Sequence, residues 1–259
     1  MRVGLIGAGN MARAMARGWG DPVLVSDSGS GRARALADEL GGEALSSNLE
    51  LAKRADVVVL CHKPYQLHSV AREISEVATV VVSVLGGTLH GELWQAYRGS
   101  QVFVMMPNIP VEVRQGVIIY AEPPRGGPVA LDPELEAKLL ALFARLGRVV
   151  RLPERLLGVA AAITSVGPAY QALLAEAQVD AGVRHGLRAQ LAGELVAATM
   201  SGSAALLEHR GHDTLAVRRE VTSPAGSTAR GLDALERAGV RTAFQDATDA
   251  VLGKDEVSS

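Results

Sequence analysis

The sequence predicts an α/β chain in two parts: a doubly wound sheet in the first half and an all-helical second half. Three observations carry this reading. Short β-branched runs alternate with helical patterns as far as residue 151. From Pro153 onward those runs stop, and Ala- and Leu-rich stretches with helical spacing take over. Almost at the first residue, a glycine turn leads from an apolar run directly into helix-forming sequence.

In order along the first half, the strands read as "VGLI", "PVLVSD", "DVVVLC", "TVVVSVL" and "QVFVMM". Each is bounded by turn residues, as buried parallel strands usually are. "NMARAMARGW" and "GRARALADEL" are helix candidates between them. "GVIIYAEPPRGGP" adds strand and a loop before the helix "DPELEAKLLALFARLG", and "RVVRL" reads as the last strand. The expected division is therefore 1–151 and 152–259. In the second part, "LLGVAAAITS", "GPAYQALLAEAQVDAGVRHG" and "RAQLAGELVAATMSGSAALLEH" are apolar nearly all round. Helices of that kind need cover on every side, and a subunit interface provides it without extra chain. A homodimer or larger homo-oligomer is the expectation.

Composition narrows the function. A chain of 259 residues favours two domains, and 48% hydrophobic residues are ample for a core. A net charge of -2 gives no reason to expect nucleic acid or an anionic membrane as partner, and 3% aromatic residues argue against base-stacking platforms. The apolar stretches are short and interrupted, so none reads as a membrane-spanning helix, and "MRV" reads as entering a strand directly, so that no signal peptide is expected. The single cysteine, Cys61, excludes a disulfide framework and a multi-cysteine zinc site. No metal is expected, and the expected location is cytoplasmic.

The opening turn, Ile6-Gly7-Ala8-Gly9-Asn10-Met11-Ala12, fits a dinucleotide fingerprint with alanine in the third small position. Gly7 permits the tight turn, Gly9 lets backbone approach a pyrophosphate, and the helix N-terminus offers unpaired N–H groups. Asp27, ending the second strand, suits a ribose 2'-hydroxyl and hence NAD. The same loop holds Ser28, Ser30, Arg32 and Arg34, which suit a 2'-phosphate. Both cofactors stay open on these residues. Elsewhere, Cys61 and His62 lack an accompanying acid or oxyanion signature, so a packed thiol fits better than a nucleophile. His209 and His212 lie in a loop without clustered ligands. Lys63 stands at a strand end facing either the nicotinamide side or solvent, and Tyr170 reads as core or interface.

Three later segments go further: "HKPYQL" after the run "DVVVLC", "MMPNIP" at the end of "QVFVMM", and "VTSPAGSTARGLDALERAGVRTAF" late in the helical half. With "GLIGAGNMA" and "GPAYQALLAEAQVDAGV", they resemble the pyrroline-5-carboxylate reductases, in order over nearly the whole chain. The resemblance implies an N-terminal Rossmann-type domain, a C-terminal dimerisation domain, and NAD(P)H-dependent reduction of 1-pyrroline-5-carboxylate to L-proline. NADPH is favoured over NADH because that family commonly uses it. By position, Gly7, Ala8, Gly9, Asn10 and Met11 would meet the pyrophosphate, with Ile6 leading into them. Ser28 and Asn48 would lie near the adenosine end, beside Asp27 and Arg32. Cys61, His62, Lys63 and Pro64, with Val84, Leu85 and Gly86, would line the cofactor at the strand ends. Ser223, Gly226, Ser227 and Thr228 would hold the substrate, with Thr228 as the catalytic candidate.

The chain departs from that family at Val166, which removes a hydroxyl, and at Ala225 and Ser227, which replace a glycine and a threonine. Glu220 stands where an amide is frequent. A related cyclic imine carboxylate is therefore an alternative substrate. A hydroxyacid dehydrogenase shares the layout but relies on a lysine in its second domain, and no lysine occurs here between Lys138 and Lys254. A non-catalytic dinucleotide-binding regulator would need the glycine turn and not the late Ser-Pro-x-Gly-x-Thr segment. Gly226 there eases backbone approach, and the N–H groups around Ser227 and Thr228 would meet an anion along the helix dipole.

Overall fold

The structure is a computed structural model that describes residues 1–253; residues 254–259, the end of the expected second domain, lie outside the described residues. The chain divides into two compact units, Met1–Pro168 and Ala169–Ser259.

The first unit runs β1 (Val3–Ile6), α1 (Asn10–Trp19), β2 (Leu24–Ser26), α2 (Arg32–Leu40), β3 (Glu43–Ala44), α3 (Asn48–Arg54) and β4 (Val57–Leu60). It continues with α4 (Leu67–Ile74), β5 (Val80–Ser83), α5 (His90–Ala96), β6 (Gln101–Pro107), β7 (Gly116–Glu122), α6 (Pro133–Ala144), β8 (Gly147–Pro153) and α7 (Leu157–Thr164). The strands form one eight-stranded sheet in the order β3-β2-β1-β4-β5-β6-β7-β8. Successive residues of β4 and β5 serve opposite faces. Val57, Val59 and Val82 pack with Met15, Trp19 and Phe143 of α1 and α6. Val58, Leu60 and Val81 pack with Leu51, Leu67 and Leu93 of α3, α4 and α5. Strands apolar at every position are thus the sign of a sheet covered twice.

Two details differ from the sequence reading. β3 is a two-residue edge strand, held by the pairs Leu24↔Glu43 and Val25↔Ala44, and too short to carry a periodic signal. β7 runs antiparallel to β6. The connection between them is a single tight turn of helix at Ile109–Val113. A parallel return needs a crossover of about a dozen residues or more, and this link is too short.

A division at 151/152 passes through β8, which pairs with β7 along its whole length, Gly116↔Gly147 to Glu122↔Pro153. α7 then folds back onto β7, and its Leu157 joins the core beneath that face. The compact unit accordingly extends to Pro168. At the exit of β8, Glu154 Oε1 accepts hydrogen bonds from the backbone N–H of His90 at 2.6 Å and from its Nδ1 at 2.7 Å. The His90 ring is wholly buried, and its Nε2 has no partner among the described residues.

The second unit is helical: α8 (Gly167–Arg184, its first two residues in the first unit), α9 (Ala189–His209), α10 (Thr214–Glu220), α11 (Ser227–Arg237) and α12 (Val240–Val251). Asp213 caps α10, accepting from the N–H groups of Leu215 and Ala216. Among the described residues of this unit, Ala192 alone counts as buried, while Leu173, Leu195, Val221 and Leu235 are each more than half exposed. The apolar surface read from the sequence is therefore present and uncovered within one chain. Contrary to expectation, the helical run Glu154–Arg184 is long and apolar enough to cross a membrane by length and composition. It is divided at Ser165 and Val166 into α7 and α8, and α8 carries Glu176, Asp180 and Arg184. Interrupted in this way, the run suits cover by protein better than by lipid.

Burial holds the His90 imidazole below its ordinary range, only partly opposed by Glu154; burial does the same to His62, opposed by the Lys63 carbonyl. The native state then binds fewer protons at these rings than the unfolded chain does. Stability should fall as pH drops from about 7.5 to about 5.5, read as the urea midpoint. His90→Asn, which keeps a donor toward Glu154 and does not titrate, should shrink that slope without abolishing it. A midpoint that is flat or rises in acid would overturn the assignment of neutral buried rings.

Candidate active site

The strand order reverses at β1 and β4, and the space beyond their carboxyl ends is where doubly wound sheets take ligands. Backbone hydrogen bonds gather the candidate segments there. The Gly7 N–H donates to the Ser26 carbonyl at 2.8 Å, the Cys61 N–H to Ile6 at 2.8 Å, and the Val84 N–H to Leu60 at 3.2 Å. Gly7 has φ +103°, and a Cβ on it would lie 2.8 Å from the Cys61 carbonyl and the His62 nitrogen. The turn after β1 therefore presses on the end of β4 with no room for a side chain. Gly9 is the opposite case, because a Cβ there would meet nothing within 4 Å. It precedes α1 with no side chain capping the helix and no acidic residue in the first turn. Ala8 is buried and Met11 half-buried, whereas Asn10 is exposed at the rim.

Beyond β2, Asp27 is committed to its own loop. Its Oδ1 accepts from the Gly29 N–H at 3.0 Å; its Oδ2 accepts from Ser30 Oγ at 2.5 Å and from the Ala33 N–H at 3.3 Å. Burial raises its pKa, but these hydrogen bonds and Arg32 outweigh that and hold the carboxyl below its usual range. Arg32 Nε donates to Ser30 Oγ at 2.8 Å, while Ser28 and Arg34 are exposed. Asn48 joins this edge, accepting from Ser26 Oγ at 2.7 Å and donating to Glu73 at 2.8 Å.

At the end of β4, burial pushes the Cys61 thiol well up, which favours a packed thiol over a nucleophile. His62 donates from Nδ1 to the Lys63 carbonyl at 2.9 Å, and its buried Nε2 has no partner among the described residues. Lys63 and Pro64 are exposed, the Lys63 N–H donating to Gln66 Oε1 at 3.1 Å. After β5, Val84 is half-buried, Leu85 buried and Gly86 exposed. One further buried nitrogen has no partner among the described residues: Nε of Arg13, whose Nη2 donates to Asn10 at 2.6 Å. An open glycine face, an uncapped helix start and two buried nitrogens without partners are features that a dinucleotide fits.

The late segment lies in the second unit. Gly226 precedes α11 in extended geometry, with no side-chain cap. A Cβ at 226 would collide with Ser223 Oγ, so only glycine allows that hydroxyl its position. Ser227 and Thr228 open the helix, Ser227 exposed and Thr228 half-buried. Glu220 is paired twice with Arg210, at 2.7 and 3.1 Å, and this partner holds its carboxyl below the usual range. Tyr170 packs edge-on to Phe244 at 6.3 Å, a packing role.

Within "MMPNIP", Asn108 has a structural task that the sequence pattern does not specify. Its side chain is buried, donates to the Thr164 carbonyl at 3.0 Å and accepts from the Val117 N–H at 2.8 Å. It thus pins the end of α7, and the Ser165–Val166 turn after it, to the carboxyl end of β6. A lone polar residue ending an apolar strand was the signal for it.

A family model described as pyrroline-5-carboxylate reductase dimerisation matches residues 154–257. A second, described as NADP oxidoreductase coenzyme F420-dependent, matches residues 2–87. The pyrroline-5-carboxylate reductase of Treponema pallidum is 32% identical, covering 97% of this chain and 99% of that protein. That of Thermus thermophilus is also 32% identical, over 96% of this chain and 95% of its own. Among solved structures, a Plasmodium falciparum pyrroline carboxylate reductase with NADP bound superposes with a TM-score of 0.86 at 26% identity, over 98% of this chain and 96% of that one. The Coxiella burnetii pyrroline-5-carboxylate reductase gives 0.83 at 26% identity, over 100% and 98%.

The two glycines of the opening turn should separate on substitution. Gly7→Ala should cost about 1–3 kcal/mol of stability, from positive φ and the crowded Cys61 backbone. Gly9→Ala should stay within about 1 kcal/mol of the parent, since its face is open. Both should weaken NADPH binding about tenfold or more, by fluorescence titration, because backbone must reach the phosphates. Unchanged affinity in Gly9→Ala would remove this turn from the cofactor site.

Proposed function

This chain belongs to the pyrroline-5-carboxylate reductase family, and on that premise we propose that it reduces 1-pyrroline-5-carboxylate to L-proline with NAD(P)H. It would act as a homodimer or larger homo-oligomer, which the largely uncovered helices of the second unit support. The observation that carries the reaction is the turn before α11. Its helix start is uncapped, and the hydroxyls of Ser223, Ser227 and Thr228 are uncommitted among the described residues.

The substrate joins a carboxylate to a cyclic C=N bond. The first N–H groups of α11 and the Ser227 hydroxyl suit the carboxylate, along the positive end of the helix dipole. Thr228 suits a hydrogen bond to the ring nitrogen; a threonine hydroxyl is a weak acid, so its task is positioning while the proton arrives on the substrate or through water. When bound, the dinucleotide supplies the hydride for the imine carbon. The N–H groups from Gly9 to Met11 would hold its pyrophosphate, and Val84 to Gly86 with Cys61 to Pro64 would line its nicotinamide half. Because Asp27 already accepts three hydrogen bonds from its own loop and the start of α2, it is a poor acceptor for a ribose 2'-hydroxyl. Ser28, Arg32 and Arg34 then favour NADPH over NADH, the Ser30 hydroxyl being already committed to Asp27.

Val166, lacking the hydroxyl usual at that place, supports a second reading, a related cyclic imine carboxylate. One assay separates the two: NADPH and NADH oxidation with pyrroline-5-carboxylate beside pyrroline-2-carboxylate and piperideine carboxylates. Fastest turnover with pyrroline-5-carboxylate and NADPH is the expected result. Faster turnover of another imine would favour the second reading, and oxidation with none of them would leave only dinucleotide binding.

Replacing Arg32 and Arg34 together by alanine should raise the Michaelis constant for NADPH more than that for NADH. Equal effects would mean that both side chains merely face solvent. Thr228→Ala should leave NADPH affinity nearly intact while lowering kcat/KM roughly ten- to two-hundredfold, the equivalent of about 1.5–3 kcal/mol for a hydrogen bond to a charged group. A loss confined to KM would make the hydroxyl a binding group, whereas a fall in kcat would give it a part in protonation. Wild-type constants would remove Thr228 from the site.

A further inference from the structure

Ala225 is one of three non-glycine residues with positive φ among the described residues, at +58°. It sits immediately before Gly226 and the start of α11, where related reductases usually carry glycine. A Cβ in the left-handed region crowds its own carbonyl, so alanine holds this conformation less readily than glycine. Relief requires rotation about the Ala225 N–Cα bond, which would swing the 225–226 peptide plane out of place and turn the following N–H groups away. That plane is held at both ends. The Gly226 N–H donates to the Ser223 carbonyl at 3.1 Å, and Arg230 Nη1 donates to the Ala225 carbonyl at 2.8 Å. Arg230 is in turn anchored by its own N–H to the Gly226 carbonyl at 3.2 Å. Its guanidinium therefore reaches back from the first turn of α11 across the residue that precedes the helix.

We propose that Arg230 is a positioning residue that locks the 225–226 peptide plane, and through it the N–H groups and hydroxyls of Ser227 and Thr228, against the strain of Ala225. The proposal rests on the reading of this turn as the carboxylate clamp. It gives the exposed arginine a task that the ion pairs of its neighbours do not share: Arg210 binds Glu220, Arg237 binds Asp233, and Arg241 binds Glu236.

A double-mutant cycle on the full chain tests it, with Arg230→Met, Ala225→Gly and the pair together. Arg230→Met should raise KM for pyrroline-5-carboxylate roughly five- to tenfold and leave the NADPH dissociation constant within about twofold. In the Ala225→Gly background, where glycine holds the turn unaided, the same change should raise KM less than about twofold. An unchanged KM in Arg230→Met would overturn the proposal. So would an equal rise in both backgrounds, which would mean that the arginine acts as a bare charge on the substrate. Urea midpoints of the four proteins without substrate give a second readout. Non-additive midpoints support the brace, and additive ones count against it. If the wild type reduces none of the imines, the proposed reaction fails and the carboxylate role with it, while the midpoints still decide whether Arg230 braces Ala225.

Discussion

The approach of Gly7 to the backbone of Cys61 and His62 is the constraint on which the candidate cofactor site depends. Two strands of a parallel sheet sit about 4.8 Å apart, and at their ends the chain must turn away without a side chain between. Gly7 turns with positive φ, donates to the Ser26 carbonyl and frees the next residues to open α1. That one turn brings three neighbouring strand ends, a free helix start and the Asp27 loop to a common edge. A bulkier residue would push β1 and β4 apart and disperse them together.

The two units meet stability in different ways. The first buries two full layers of side chains against its sheet, including Trp19, Phe103, Phe143 and Tyr97. It ties its distant ends with polar struts of little exposure, His90 to Glu154 and Asn108 to Thr164. The second unit leaves leucines and valines exposed along its helices. Burying them releases roughly 25 cal/mol per Å² of apolar surface, a driving force that one chain does not realise and self-association does. The family model matching this region is one of dimerisation.

Much of the site chemistry is polar and local. Ser30, Gly29 and Ala33 satisfy Asp27 from the following loop and the start of α2, Glu220 is neutralised by Arg210 ten residues away, and Arg230 holds the carbonyl of Ala225. In each case the partner decides what the residue has left to offer a ligand. A carboxylate that already accepts three hydrogen bonds is not the open acceptor its place at a strand end implies.

From the amino-acid sequence alone, the alternation of β-branched runs and helices determined the doubly wound first half, and the loss of that alternation after Pro153 determined the helical second half. The small-residue spacing at Gly7, Gly9 and Ala12 marked the turn, and the segment around Thr228 was legible through its resemblance to a known family. These signals are readable because they are periodic or tightly spaced, and so reflect local backbone preference. Only the tertiary structure decided the antiparallel entry of β7, the two-residue strand β3, the extension of the first unit to Pro168, and the partners of Asn108, His90 and Arg230. Each of these depends on which groups meet in space. Asn108 and Thr164 are 56 positions apart, and His90 and Glu154 are 64 apart. No pattern along the chain encodes such pairs, because hydrogen bonds between distant segments are chosen by the packing that brings them together.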